Sequence, residues 1–160
     1  MPIHQDKNYK KIGAAALAYG HTVIANSPID VNLAKQLNIL LGQLGVKDEK
    51  ILVDPTTGGL GYGLEYSYSV MERDRMAALT QEDDKLQLPI INYVGQEVWK
   101  VKECKQTNAE APHLGDQTKR GILMEAITAV DLLLAGSDLL IMRHPEAVKL
   151  TKTIIQELVG

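Results

Sequence analysis

The chain has 160 residues, a formal net charge of −3 and a single cysteine. That length suits one domain spanning residues 1–160, able to bury roughly 70% of its unfolded surface. Weak acidity gives no field for nucleic acid or an anionic membrane, no apolar run approaches the ~18 residues that span a bilayer, and MPIHQDKNYKK lacks the apolar stretch of a secretory signal, so the expected location is the cytoplasm.

Residues 7–19 (KNYKKIGAAALAY) predict a helix closed by Gly20. His21–Ala25 predicts a strand that exits through Asn26-Ser27-Pro28, and Ile29 and Asp30 read as hydrophobic staple and N-cap of the next helix. In that helix Leu33, Leu37, Leu40, Leu41 and Leu44 share one face, and Gly45 closes it. A short strand, Ile51–Val53, stops at Asp54-Pro55, because proline cannot donate to a ladder. A glycine-rich loop, Thr56–Gly63, leads into a helix with Leu64, Tyr68, Met71 and Leu79 on one stripe. Pro89–Val94 predicts a fourth apolar strand exiting at Gly95, and the polar segment from Gly95 to His113 reads as a long loop of the kind that is usually functional. Asp116 caps a helix carrying Ile122, Leu123, Ala126, Ile127, Val130, Leu133 and Leu134. The last strand, Leu139–Met142, leaves at Arg143-His144, and Pro145 opens a helix whose apolar face is Val148, Leu150, Ile154, Ile155 and Leu158.

The pattern is α/β: one leading helix, then four parallel βα units whose continuously apolar strands are expected to be covered on both faces. Two architectures fit, a four-stranded doubly wound sheet and half of a TIM (β/α)8 barrel, a complete one needing ~250 residues. A chain that opens on a helix with no strand before it reads as cut from something longer.

Candidate site residues gather where strands hand over to helices, the ligand-binding end of α/β sheets. Asp54, Thr56, Thr57, Gly58 and Gly59 bring a carboxylate, two hydroxyls and bare backbone to one strand exit. Gly58 and Gly63 have the spacing of a P-loop, but Leu64-Glu65 stand where lysine and serine or threonine are required. The spacing Gly59-x-Gly61-x-Gly63 is not the dinucleotide fingerprint either. Asp54 reads equally as ligand acceptor or as the anchor of a local turn, and Asn26 and Asn92 carry the same two readings at their own strand ends. Gly95, Gln96, Glu97 and Trp99 open the long segment, Trp99 as an interface anchor or as a residue folded over the rim. Arg143 suits bidentate binding of a phosphate or carboxylate, or an ion pair with a neighbouring loop, while His144 reads as a helix N-cap. His4, His21 and His113 have no metal-ligand spacing, and no serine sits in a nucleophile elbow. Cys104 is an ordinary residue of a charged loop, and alone it excludes an internal disulfide or a cysteine-ligated cluster built by this chain only.

Five runs carry a resemblance: NSPIDVNLAKQLNILL (Asn26–Leu41), DPTTGGLGYGLEYSYSVMER (Asp54–Arg73), VGQEVWKVKE (Val94–Glu103), GDQTKRGILMEA (Gly115–Ala126) and LLIMRHPEAVKL (Leu139–Leu150). Together they resemble the small, or delta, subunit of the corrinoid/iron–sulfur protein of the carbon monoxide dehydrogenase/acetyl-CoA synthase system, over nearly the whole chain; the initial MPIHQD looks foreign to it. The resemblance implies a TIM barrel of which this chain carries only the second half, strands five to eight with the preceding helix. It implies a cobamide cofactor shared with a large corrinoid/iron–sulfur partner subunit, and transient partnership with a methyltransferase and acetyl-CoA synthase. On that reading Asn26, Asp54, Thr56, Thr57, Gly58, Gly59, Gly95, Gln96, Glu97 and Arg143 face the cobamide, and the cobalt, not this chain, does the chemistry. The corrinoid motif D-x-H-x-x-G is absent, so binding is expected to be shared. The missing barrel half is expected from a second half-barrel; otherwise the chain is a truncated fragment without independent activity. The runner-up is a pterin-binding barrel methyltransferase using Asp54, Asn26 and Asn92.

Overall fold

The computed structural model describes the backbone of Pro2–Ile3 and residues 8–160. In chain order the elements are β1 (Pro2–Ile3), α1 (Tyr9–Tyr19), β2 (Val23–Asn26), α2 (Val31–Gln43), β3 (Ile51–Asp54), α3 (Glu65–Thr80), β4 (Ile91–Asn92), α4 (Val94–Val98), α5 (Lys102–Lys105), α6 (Gln117–Leu134), β5 (Leu139–Leu140) and α7 (Pro145–Val159). Every strand pairing is parallel, β1 with β2, β2 with β3 and β4 with β5. A parallel bridge between Val53 and Ile90, with Val53 N–H donating to Pro89 O at 2.8 Å, joins the two sheets. Strands adjacent in sequence are therefore adjacent in space, and the order never reverses.

A strand does precede the first helix, against the sequence expectation: Pro2 and Ile3 pair with Ile24 and Ala25. Two residues carry no readable period, so only the pairing reveals them. The expected start of the first helix at Lys7, and His4, lie outside the described residues. Gly20 takes the expected left-handed cap, φ 71°, and His21 N–H then returns to Ala16 O at 2.9 Å. Asp30 caps α2 as expected, accepting from Leu33 N–H at 3.0 Å.

The fourth strand is shorter than its apolar run. Only Ile91–Asn92 is extended, Val94 already belongs to α4, and Gly95 lies inside that helix and not at a strand exit. Nor is the segment from Gly95 to His113 a plain loop, since it contains α4, α5 and a 3-10 turn at Pro112–Leu114. β5 likewise stops at Leu140, although Ile141 N–H still reaches Asn92 O at 2.8 Å.

Side chains alternate across a strand, so each pairing fixes which residues share a face. Val23, Ala25, Ile51, Val53 and Ile90 face the helices and are buried in one continuous core. Ile24, Leu52, Ile91, Leu139 and Ile141 face the other way and stand outside that core. Ile91 is buried, Ile24 and Leu52 are half-buried, and Leu139 and Ile141 remain 44% and 46% exposed. The expectation of strands covered on both faces holds only in part: one face lies in the core beneath the helices, while the other is open at Leu139 and Ile141.

The helix faces shift in the same sense. α3 buries Ser67, Val70, Met71, Asp74 and Ala78 while Tyr68 and Leu79 are exposed, so only Met71 of the expected stripe that lies within the helix packs inward. α7 buries only Ala147 and Thr151, and its expected apolar stripe is uncovered at Leu150, Ile154, Ile155 and Leu158. α6 buries Leu132, Glu125 and small residues such as Ala126 and Ala129, leaving Leu123, Ile127 and Leu134 exposed.

At the N-terminal ends of β4 and β5 one guanidinium gathers the chain. Arg75 donates to Gly136 O through Nε (3.0 Å) and Nη2 (2.6 Å), reaches Leu88 O, and pairs with Asp138. Asp138 in turn accepts from Ile90 N–H at 2.7 Å.

Asp74 is 2% exposed and neither carboxylate oxygen has a hydrogen-bond partner. Burial raises its pKa to about 6; Arg73 and Arg75 pull it down and Asp30 adds to the rise. The unfolded chain releases this proton near pH ~3.9, so the folded state holds more protons between about pH 4 and 6. Stability supplied by the neutral carboxyl is thus present at low pH, falls through that window and levels off above it. Asp74→Asn is expected to raise stability at pH 7.5 by about 2–3 kcal/mol and to change it much less at pH 4, read as the Tm of paired thermal melts.

Candidate functional site

The parallel register sets Asn26 beside Asp54 at the C-terminal ends of β2 and β3. Asn26 Nδ2 donates to Asp54 Oδ2 at 2.8 Å, and Asp54 Oδ1 accepts from Thr56 N–H at 3.0 Å. Asp54 therefore anchors the turn after its strand, as the local reading required, yet its carboxylate also lines a cavity. Thr56 sits at φ 78°, a conformation that β-branched residues rarely adopt. Its hydroxyl accepts from Gly58 N–H at 3.1 Å, holding the loop in that shape.

Thr57 links this loop to the end of β4. Its Oγ1 accepts from Asn92 Nδ2 at 3.3 Å and from Tyr93 N–H at 3.1 Å. Asn92 is fully buried, so it supports the rim from beneath and does not present its amide to solvent. The result is a cavity of about 280 Å3 lined by Asn26, Asp54, Thr56, Thr57, Tyr93, Gln96 and Glu97. Six of the ten residues singled out from sequence thus meet around one space. Tyr93 was missed; its signal was an aromatic in the final position of an apolar run. Burial raises the Tyr93 phenol pKa, and the Asp54 carboxylate adds to the rise, so the hydroxyl stays protonated at neutral pH.

Glu97 also borders a wider groove, about 820 Å3, shared with Gly58, Leu60, Gly61, Tyr62 and the start of α5. Tyr62 stands 93% exposed at its mouth. Glu97 pairs with Lys100 at 2.8 Å.

Three expected site residues serve packing. A Cβ on Gly59 would stand 2.7 Å from Gly63 O and 2.8 Å from Ser67 Oγ. One on Gly95 would stand 2.6 Å from Arg143 N. Both glycines permit backbone contact, which a sequence motif cannot distinguish from ligand contact. Arg143 lays its guanidinium over the Trp99 ring, 5.5 Å from the centroid, and lies off the cavity.

Beneath Arg143 lies a buried carboxylate, Glu125, that the sequence disguised within an apolar helix. It is fully buried and accepts from Trp99 Nε1 at 2.8 Å, from Arg143 N–H and from His144 N–H at 3.2 Å. The His144 ring stacks on Trp99 (centroids 6.0 Å apart), and its Nδ1 caps α7 by accepting from Glu146 N–H at 3.2 Å. Trp99 is thus a residue folded into the rim. Cys104 is buried in α5 with its Sγ 3.5 Å from Met124 Sδ, and burial pushes its thiol pKa up, the opposite of an activated nucleophile.

Among the described residues no group of three or more His, Cys, Asp or Glu side chains is placed to hold a metal, and no helix is long and apolar enough to cross a membrane. The site offers hydrogen-bonding contact and shape.

A family model described as CO dehydrogenase/acetyl-CoA synthase delta subunit matches residues 3–158. The acetyl-CoA decarbonylase/synthase complex subunit delta 2 of Methanosarcina acetivorans is 38% identical over 159 residues, 96% of this chain and 36% of that protein. Subunit delta of the same complex from Methanopyrus kandleri is 40% identical over 147 residues, 92% of this chain and 36% of its own. The Archaeoglobus fulgidus subunit delta is 36% identical over 159 residues, 97% of this chain and 35% of its own. The chain thus spans little more than a third of the length of the curated relatives it matches.

Glu125→Ala leaves three N–H groups without their acceptor. It is expected to cost on the order of 3 kcal/mol or more in denaturant unfolding and to red-shift Trp99 emission as the rim loosens.

Proposed function

The chain belongs to the CO dehydrogenase/acetyl-CoA synthase delta subunit family, and from that premise we propose that it is the barrel part of a corrinoid/iron–sulfur methyl carrier. In this reading the chain is one domain, half of a TIM barrel. Its strand-exit rim shields a cobamide held mainly by a large corrinoid/iron–sulfur subunit. The methyl group passes from a methyl-tetrahydropterin, through the cobalt, to acetyl-CoA synthase in the cytoplasm. The cobamide supplies the methyl-carrying metal; the residues of this chain that would meet it are Asn26, Thr56, Thr57, Tyr93, Gln96 and Glu97, with Gly58 and Tyr62 on the adjoining groove.

The observation that carries the reading is the family match along residues 3–158. The half-barrel is supported by the all-parallel strand order without reversal and by helices on one sheet face only. A closed barrel would bury Leu139 and Ile141 on its interior and cover the apolar stripe of α7 with the next helix. A polar rim without a nucleophile elbow or a described metal-ligand set suits a carrier, where the cofactor does the chemistry and the protein positions it. The cavity between Asn26 and Tyr93 also favours a second reading, a barrel enzyme that binds the pterin donor directly.

Copurification with the large corrinoid subunit tests the carrier reading. The chain, completed by the remainder of the barrel, is expected to coelute with that subunit and to change the corrinoid absorbance spectrum. Absence of both association and spectral change would overturn it.

A further inference from the structure

The four arginines of the chain are spent differently. Arg75 clamps the strand entrances, Arg73 Nε donates to Ser69 O at 3.3 Å, and Arg120 Nη2 donates to Gln106 O at 3.2 Å and to Gly115 O at 3.4 Å. Arg143 follows β5 at the strand-exit end and is exposed, and among the described residues its guanidinium makes no hydrogen bond or ion pair. Its flat face is engaged, lying over Trp99 at 5.5 Å from the ring centroid. Stacking uses the face of a guanidinium and leaves its edge, with five N–H groups, open to a ligand.

The arm is fixed from below. Glu125 is fully buried and accepts the Arg143 backbone N–H together with the Trp99 indole N–H. The Arg143 backbone passes so close to Gly95 that a Cβ there would stand 2.6 Å from its nitrogen. The His144 ring also lies on Trp99, with centroids 6.0 Å apart. An arginine on an open surface loses much of its rotamer freedom when a partner fixes it, and one already stacked has less to lose. Arginine and tryptophan are also among the residues that anchor protein interfaces. Ile141, two residues earlier, is 46% exposed, so an apolar side chain stands just before the arm in the chain.

One guanidinium edge matches the two oxygens of one carboxylate by paired hydrogen bonds. A phosphate site commonly adds backbone N–H groups at a helix start, and the start of α7 has few to give. Its first residue is Pro145, and the Glu146 N–H is taken by His144 Nδ1 at 3.2 Å. Glu146 is the acid of that turn; it is exposed and forms no ion pair with Arg143, so no carboxylate of the described residues occupies the edge. We propose that Arg143, preset on Trp99, is a docking arm that binds the carboxylate of an aspartate or glutamate on a partner protein seated at the strand-exit rim. The inference rests on the carrier reading for the identity of that partner, the large corrinoid/iron–sulfur subunit.

Calorimetric titration of the full chain with the large corrinoid subunit tests the arm, with Arg143→Ala, Arg143→Lys and Arg143→Glu beside the wild type. Every variant keeps the backbone N–H that Glu125 holds, and Arg143→Lys also keeps a long cationic side chain, so the series stays interpretable if Arg143→Ala loosens the rim. Arg143→Ala is expected to weaken association by about ten- to a hundredfold and Arg143→Lys by about tenfold, since lysine keeps the charge but not the paired edge. Arg143→Glu is expected to weaken it more than Arg143→Ala, because it sets like charge against the carboxylate. Added salt is expected to weaken the wild type more than Arg143→Ala. Equal affinity for all four chains, or an equal loss in all three variants, would overturn the carboxylate contact and leave the carrier reading standing. Association with acetyl-CoA synthase and not with the large subunit, weakened in the expected order, would uphold the arm and overturn the identity of its partner. No association of the wild type with either protein at about ten micromolar concentration would overturn both.

Discussion

The buried carboxylate of Glu125 constrains everything above the strands. A charge removed from water must be surrounded by donors or it destabilises the fold by several kcal/mol. Here the donors come from two other places in the chain, the Trp99 indole at the end of α4 and the Arg143-His144 backbone at the start of α7. These groups converge only because two glycines let the chains approach. Gly121, one turn before Glu125, leaves room for the Trp99 ring, where a Cβ would stand 2.6 Å from the indole edge. Gly95 does the same for the Arg143 backbone. The helix held in this way is α4, and α4 carries Gln96 and Glu97 to the cavity. A residue that never touches the candidate ligand thus decides where two of its contacts lie.

Much of this was legible in the chain, and the failures have physical causes. Caps were readable because they are local: Gly20, Asp30, Asp116 and His144 all act where residue type and position put them. Strand exits were readable because proline and asparagine end ladders at Asp54-Pro55 and Asn26. What sequence could not show was direction. Of the expected stripe of Leu64, Tyr68, Met71 and Leu79, Met71 is buried and Leu64 packs against the core, but Tyr68 and Leu79 are exposed and the helix buries Ser67 and Asp74 in their place. Hydrophobic periodicity assumes that apolar residues seek the core, and it fails where the buried positions are polar or where the apolar side faces something outside the chain. Six of the ten site residues share one cavity because neighbouring strands end together, while Gly59, Gly95 and Arg143 lie off its lining and make packing contacts. Glu125 and Tyr93 emerged only with the geometry, since an isolated acid in an apolar helix and one aromatic at a strand end carry no pattern.

The uncovered apolar surfaces agree with one another. The second sheet face, the α7 stripe and the outer side of α6 all present aliphatic side chains where helices of this chain do not reach. Each of the three surfaces exposes several large aliphatic side chains, among them Leu139 and Ile141, Ile154 and Leu158, and Leu123 and Ile127. Family membership along residues 3–158, set against relatives almost three times as long, gives the same surfaces a context. The matched segment packs its own helices against its own strands, and its remaining apolar surface is directed outward.

The clamp at the other end of the sheet has a further consequence. Arg75, Asp138, Gly136 and Ile90 tie the strand entrances of β4 and β5 together without sharing a residue with the Thr57 and Glu125 sets at the exits. The two polar assemblies lie on opposite sides of the apolar layer, so a sequence change in one need not be compensated in the other. Divergence among related chains can therefore proceed on two separate clocks, with the entrance residues drifting under selection for folding and the exit residues under selection for whatever they touch. A chain grafted with another rim would keep its foundations.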